Sequence, residues 1–213
     1  MPAALLKDDY YLNLLDWADS GHIAVGLQSS LYLWSGCASQ VQKIQEFRGE
    51  GESLCSVNFQ PGGNRIVLGL SRGDMTLFDI ERQKEERYET VHLGRIGSVG
   101  STNNIICSGG RDGYVSIRDI RQADEIFRYR AHYQEICGLK ISPAGDMVAT
   151  GGNDNKLHLF SMKKMESMAQ WCDHKAAVKA VGFNPADPTI ISGAGSADRR
   201  LRVFSLHSLE LLN

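Results

Sequence analysis

Residues 147–160 read "MVATGGNDNKLHLF": a small-residue run, two glycines, an amide, acid, amide cluster, then an alternating apolar run closed by an aromatic. Two short apolar runs flanking a Gly/Asn/Asp cluster predict antiparallel strands joined by a hairpin. The layout recurs along the chain. The runs "LYLW", "MTLF", "VSIR", "LHLF" and "LRVF" end at positions 34, 78, 118, 160 and 204, in steps of 44, 40, 42 and 44 residues. That period fits a four-stranded propeller blade and is too long for ankyrin or tetratricopeptide repeats.

Each unit is strand-like throughout. Ahead of the five runs stand "IAVGL", "RIVLGL", "IICSGG", "MVATGG" and "IISGAG", with Gly26, Gly69, Gly109, Gly151 and Gly193 in register. Ahead of those come "YYLNLLDW", "LCSVNF", "RIGSVG", "EICGLKI" and "AVKAVGF". Inner strands crowd toward a propeller axis, so the glycines are expected on strands facing it, where blades approach each other. "QPGGN" at 60–64, "SPAGD" at 142–146 and "NPADP" at 184–188 are turns between the first two strands of their blades, and "GGRDG" at 109–113 is the counterpart of "GGNDN". The predicted fold is all-β: a propeller with blades at about 9–50, 51–92, 93–132, 133–174 and 175–213. The charged "ERQKEERYE" at 81–89 reads as a solvated outer strand and loop.

Composition excludes several functions. A net charge of -2 gives no basic field for nucleic acid or anionic lipid. Five scattered cysteines, Cys37, Cys55, Cys107, Cys137 and Cys172, fit neither a disulfide framework nor a zinc site and are read as reduced thiols. There is no run of 18 apolar residues and no signal-peptide core, so a soluble intracellular protein is expected. No GxSxG, HExxH, GxxxxGK[ST] or GxGxxG motif occurs, so neither catalysis nor a cofactor or metal is expected.

Three histidines, His92, His132 and His174, stand a few residues ahead of the first strands of blades three, four and five, and the later hairpins carry Asp112, Asp154 and Asp198. A histidine before the blade and an acid in its hairpin resemble the buried hydrogen-bond network of WD-repeat proteins, a structural role. The WD dipeptide itself is degenerate, as "FD" at 78–79, "RD" at 118–119 and "FS" in blades four and five.

"DDYYLNLLDW", "LYLWS", "RIGSV", the stretch from "QEICGLK" to "ATGGNDN", and "AAVKAVGFNP", in that order, resemble the Fizzy and Fizzy-related family, coactivators of the anaphase-promoting complex. The resemblance runs from about residue 5 to 206. It implies a seven-bladed WD-repeat propeller, of which five blades are present here, so the chain is expected to be a truncated form. A basic N-terminal arm and a C-terminal Ile-Arg tail are absent from it. The implied function is non-enzymatic: an adaptor that receives degron-bearing cell-cycle proteins and presents them to the ubiquitin ligase. Spindle-checkpoint proteins are further expected partners, and nucleus and cytoplasm the expected location. A generic WD-repeat scaffold is the alternative.

By motif match, the resemblance places a Lys-Glu-Asn (KEN) degron site at Asp9, Asn153 and Ser196, where the family usually has threonine at the last position. A serine keeps the hydroxyl donor and acceptor. Spacing alone would leave Asp9 a solvated turn acid, Asn153 a turn-former and Ser196 loop filler. The family's destruction-box site lies between the first and last blades, and its tryptophan matches Trp34, which spacing alone would read as blade packing. Upstream of "DDYY" the family has an acid where this chain has Pro2.

Overall fold

The computed structural model describes residues 7–36, 40–122 and 124–212, so Pro2 and Cys37 lie outside the described residues. Alternating side chains give each strand two apolar faces, which must be covered on both sides of the sheet. Stacking sheet on sheet does this. The first sheet holds β1 (Leu15–Trp17), β2 (His22–Leu27), β3 (Ser30–Ser35) and β4 (Gln40–Glu46). The second holds β5 (Leu54–Phe59), β6 (Arg65–Leu70), β7 (Met75–Asp79) and β8 (Lys84–Tyr88). The third holds β9 (Ile96–Ser101), β10 (Ile105–Gly110), β11 (Tyr114–Asp119) and β12 (Glu125–Arg130). The fourth holds β13 (Ile136–Ile141), β14 (Met147–Gly152), β15 (Leu157–Ser161) and β16 (Glu166–Trp171). The fifth holds β17 (Val178–Phe183), β18 (Thr189–Ala194) and β19 (Leu201–Ser205), with a bridge from Phe204 to Leu211 beside it. Strands within each sheet pair antiparallel in sequence order.

Four apolar clusters fill the four junctions between consecutive sheets. Leu31 and Ala24 meet Leu54 and Leu68 at the first. Met75 and Leu77 meet Ile96 and Ile106 at the second. Val115 and Ile117 meet Ile136 and Phe160 at the third, and Leu157 and Leu159 meet Val178 and Phe204 at the fourth. The outward faces of the end sheets lack such cover: Leu15 and Trp17 are 62% and 69% exposed, and Leu201 is 72% exposed.

The first strands β5, β9, β13 and β17 pack side by side, with β1 against β5, and together they line a central cavity of about 480 Å³. The expectation that the register glycines lie on axis-facing strands is therefore corrected: they sit one strand further out, on β2, β6, β10, β14 and β18. The reason is contact between blades. An added Cβ at Gly69 would lie 2.7 Å from the Ile96 carbonyl, and at Gly151 it would collide with the Val178 carbonyl, each on the first strand of the next sheet. Gly193, in the last sheet, meets only its own sheet's Leu201 and Ala180.

The hairpin between the second and third strands repeats too. Gly73, Gly113, Asn155 and Arg199 occupy one position of the second to fifth sheets, two residues ahead of the partner of the register glycine, each with left-handed φ between 55° and 91°, and Gln28 supplies the left-handed residue of the shorter hairpin in the first sheet. Gly113 there packs against the His132 carbonyl with no room for a side chain, whereas Asn155 is an amide that tolerates this conformation.

A second repeated feature was not anticipated. One residue of the first strand lacks a cross-strand partner in each of the second to fifth sheets: Cys55, Gly97, Cys137 and Lys179. These are β-bulges, which turn a peptide group out of the ladder and toward the channel. The expected first strand over 10–17 is strand only from Leu15, because residues 9–13 leave the first sheet and cross toward these bulges, Leu14 still accepting the Gly26 N–H at 2.8 Å. Asn13 forms a parallel bridge with Ser56, taking the Cys55 carbonyl with its N–H at 3.0 Å and accepting from Val57 N at 2.8 Å. Its side-chain amide donates to the Gly97 carbonyl at 2.7 Å and the Cys137 carbonyl at 2.9 Å. At the fourth bulge, Lys179 Nζ donates to the Tyr10 and Leu12 carbonyls.

Candidate functional site

The strand directions gather at one end of the channel the segment before β1, the loops that enter each first strand, and the hairpins between second and third strands. This end is called the upper face.

The three histidine and acid pairs lie just beneath it. His92 Nδ1 is 3.0 Å from Asp112, His132 Nδ1 is 2.8 Å from Asp154, and His174 Nδ1 is 2.6 Å from Asp198. The opposite ring nitrogens reach Ser108, Thr150 and Ser192 at 2.7–2.9 Å, hydroxyls on the second strands that the sequence reading missed. Each acid also accepts the N–H of the residue after its histidine, Leu93, Tyr133 or Lys175. Burial alone would raise the Asp112 carboxyl, but His92 and the N–H groups of Leu93 and Tyr114 hold it down to about 2. Asp154 is lowered in the same way, against burial, by His132 and the Tyr133 and Lys156 N–H groups. Asp198 is held well below the carboxylate range, first by Arg202 and then, against burial, by His174. Each pair is buried within its own blade, and among the described residues no group of three His, Cys, Asp or Glu could hold a metal ion.

Blade two carries a substitute. Glu52, 6% exposed, and Asp74 both bind Arg87, which comes inward from β8. The charged run over 81–89 is thus not wholly solvated.

On the upper face itself Asp9 is not free. Its Oδ1 accepts the Tyr11 N–H at 3.0 Å and its Oδ2 accepts from Arg95 Nη1 at 2.5 Å. Burial would raise its pKa, yet the Tyr11 N–H and the Arg95 guanidinium bring it below the usual value. Arg95 also grips Glu135 in a fork, Nε to Oε1 at 2.6 Å and Nη2 to Oε2 at 2.9 Å, so the trio keeps an excess of negative charge. The guanidinium lies 5.7 Å from the Tyr11 ring centroid, and the Tyr11 hydroxyl donates to Asn153 Oδ1 at 2.8 Å. Asn153 Nδ2 in turn donates to Gln134 Oε1 at 2.6 Å, and its N–H to the Glu135 carbonyl at 2.9 Å. Asp9 and Asn153 are therefore joined through Arg95 and Tyr11.

Ser196 stands apart from this chain. It is exposed in the β18–β19 hairpin, its carbonyl accepting from Arg199 Nε at 2.8 Å. The link to it is Tyr10, whose hydroxyl donates to the Ala177 carbonyl at 3.0 Å and whose ring borders Gly195. Trp34 is not part of the upper-face cluster. It is half-buried on β3, opposite Ile23 on β2 and Val41 on β4. Arg95, Glu135, Gln134 and Tyr11 escaped the sequence reading. The signal for Arg95 and Glu135 was their shared place at the entry to a first strand.

The array offers a peptide-sized set of hydrogen-bond donors, acceptors and charge. Burial pushes the Cys55 thiol up to about 11 and those of Cys107 and Cys137 to about 12, too high for nucleophiles. No helix among the described residues is long and apolar enough to cross a membrane.

The WD domain, G-beta repeat family matches residues 123–161 and 165–205. Protein FIZZY-RELATED 1 of Arabidopsis thaliana is 37% identical over 215 residues, covering 100% of this chain and 45% of the relative. Cell division cycle 20.1, cofactor of APC complex, of the same plant is 35% identical over 220 residues, covering 98% and 48%. Among solved structures, a chain from the crystal structure of the mitotic checkpoint complex superposes with a TM-score of 0.95 at 29% identity, over 100% of this chain and 66% of that one. The chain thus spans about half the length of the curated relatives it matches.

Proposed function

The chain belongs to the Fizzy and Fizzy-related family of non-enzymatic WD-repeat proteins, and on that footing we propose that it is a substrate-recognition adaptor for the anaphase-promoting complex. Its upper face reads Lys-Glu-Asn degrons and its side, through Trp34, contributes to reading the destruction box.

The observation that carries this is the connected array from Asp9 through Arg95 and Tyr11 to Asn153 and Gln134. A peptide lysine is drawn to the excess negative charge of Asp9 and Glu135, competing with Arg95 for Asp9. Amide side chains of the ligand are drawn to Asn153 and Gln134, whose own bond is one amide to another and can be exchanged at little net cost. Ser196, one residue beyond Gly195 and exposed, offers a hydroxyl to the far end of the peptide. Because Arg95 already pairs with both Asp9 and Glu135, a peptide lysine gains only about 1 kcal/mol, the upper end for an exposed pair, and the Asn153 amide sets most of the selectivity.

Fluorescence anisotropy of a labelled Lys-Glu-Asn peptide against an Ala-Ala-Ala control tests the reading. The first peptide should bind this chain and the second should not. Equal binding by the two would refute it.

A further inference from the structure

Around the array the upper rim of blades three to five is strongly basic. Arg111, Arg130, Lys175, Arg199 and Arg200 are exposed there, with Lys156 half-buried among them. The rim's inner carboxylates are already engaged: Asp112 by His92 and Arg128, Asp154 by His132, Asp198 by His174 and Arg202, and Glu135 by Arg95. Among the described residues none of the six cations is ion-paired with a carboxylate; Arg130 and Arg199 donate to the His132 and Ser196 carbonyls and Lys156 to Gln170. Exposed Asp8 and Asp173 temper the field without cancelling it.

The patch also has a shaped centre. Tyr133 is 72% exposed, and its ring lies 5.0 Å from the Arg130 guanidinium and 5.5 Å from Lys156 Nζ. These cations hold the ring as a flat apolar shelf bounded by positive charge. Leu93, 85% exposed, occupies the equivalent position in the preceding blade. Tyr133 directly precedes Gln134, and Lys156 follows Asn153 by three residues, so the shelf adjoins the array at its amide end.

We infer that this rim docks an Asp- and Glu-rich peptide segment flanking the motif held at Asn153, with one apolar side chain of that segment lying on Tyr133. The inference rests on the degron reading above. A nucleic acid would meet the same cations, but the chain's net charge of -2 and the acids Glu50 and Glu89 on the upper rim of blade two confine the positive field to about the span of a short peptide.

Three labelled peptides separate the two ideas in titrations of the 213-residue chain: the motif with an acidic flank, the motif with a neutral flank, and the acidic flank with the motif replaced by alanines. The acidic flank should tighten motif binding about fivefold at low salt, as two exposed ion pairs would. The gain should vanish at 0.5 M salt, on the order expected from screening, and in Arg130→Glu/Lys156→Glu, with neutral-flank binding unchanged. Arg130→Gln/Lys156→Gln serves if the reversal unfolds the chain. Equal affinity for the acidic and neutral flanks, or a gain that survives the double variant, overturns the inference while leaving the degron reading intact. If neither motif peptide binds, the degron reading fails, and the motif-free acidic peptide decides the rim: binding lost in the double variant supports it, and no binding overturns it. Competition by single-stranded DNA with higher affinity than the acidic peptide also overturns it.

Discussion

Replacing Asn13 by leucine removes two hydrogen bonds and almost no volume. The backbone contacts to Cys55 and Val57 are kept by leucine, so the perturbation is confined to the side-chain amide and the Gly97 and Cys137 carbonyls, at 2.7 and 2.9 Å. A net hydrogen bond is worth about 1 kcal/mol, and an acceptor left dry costs about 1 to 3. The site is only part-buried, so water can reach one carbonyl and the lower end applies: about 2 kcal/mol for the pair. For a chain of this size that lowers the melting midpoint by roughly 4 to 8 °C. Asn13→Asp, with the same shape but only acceptors facing two carbonyls, should be at least as damaging. Circular dichroism melts of parent and variants at one protein concentration give the comparison. If Asn13→Leu melts within about 1 °C of the parent, where surface substitutions fall, Asn13 does not hold the bulges together.

Gly151→Ala should be among the most disruptive single-methyl additions, because its Cβ collides with the Val178 backbone; soluble yield and melting should fall well below those of Gly182→Ala, whose added Cβ meets nothing within 4 Å. Asp112, held at about 2 in the fold, contributes stability that is fully present above its unfolded pKa near 3.8 and is lost as pH falls through about 2. Denaturation midpoints should therefore drop between those values, and drop less in Asp112→Asn. Brief alkylation of the native chain followed by mass spectrometry should label exposed Cys172 well before buried Cys55, Cys107 and Cys137; early labelling of Cys137 would contradict the closed core around it.

The repeat was legible because every blade must solve the same problem with the same side-chain types. Alternation covers both faces, and a left-handed residue at Gly73, Gly113 and Asn155 turns each hairpin. The histidine and acid pairs were legible for the same reason, whereas the Glu52, Arg87 and Asp74 group was hidden because it meets the blade-two need with different chemistry. The bulges left no trace, since an extra residue inside a strand shifts a period that already varies between 40 and 44. Without them, Asn13 looked like a stray amide in an apolar run. The glycines were seen but placed one strand too far in, because their spacing shows that two backbones approach without showing which. Of the candidate site, Asp9 and Asn153 came from resemblance, and the Arg95 and Tyr11 bridges between them needed the topology that brings residues 9–14 over blades three and four.

The most direct test of the upper-face site is a map of backbone amide shifts in the isotopically labelled chain on adding a Lys-Glu-Asn peptide. The account predicts shifts concentrated at Tyr11, Arg95, Gln134, Asn153 and Ser196, and their loss in Asn153→Ala with the fold intact. Shifts confined to outer strands such as β8 or β16, or a pattern unchanged in Asn153→Ala, would contradict it.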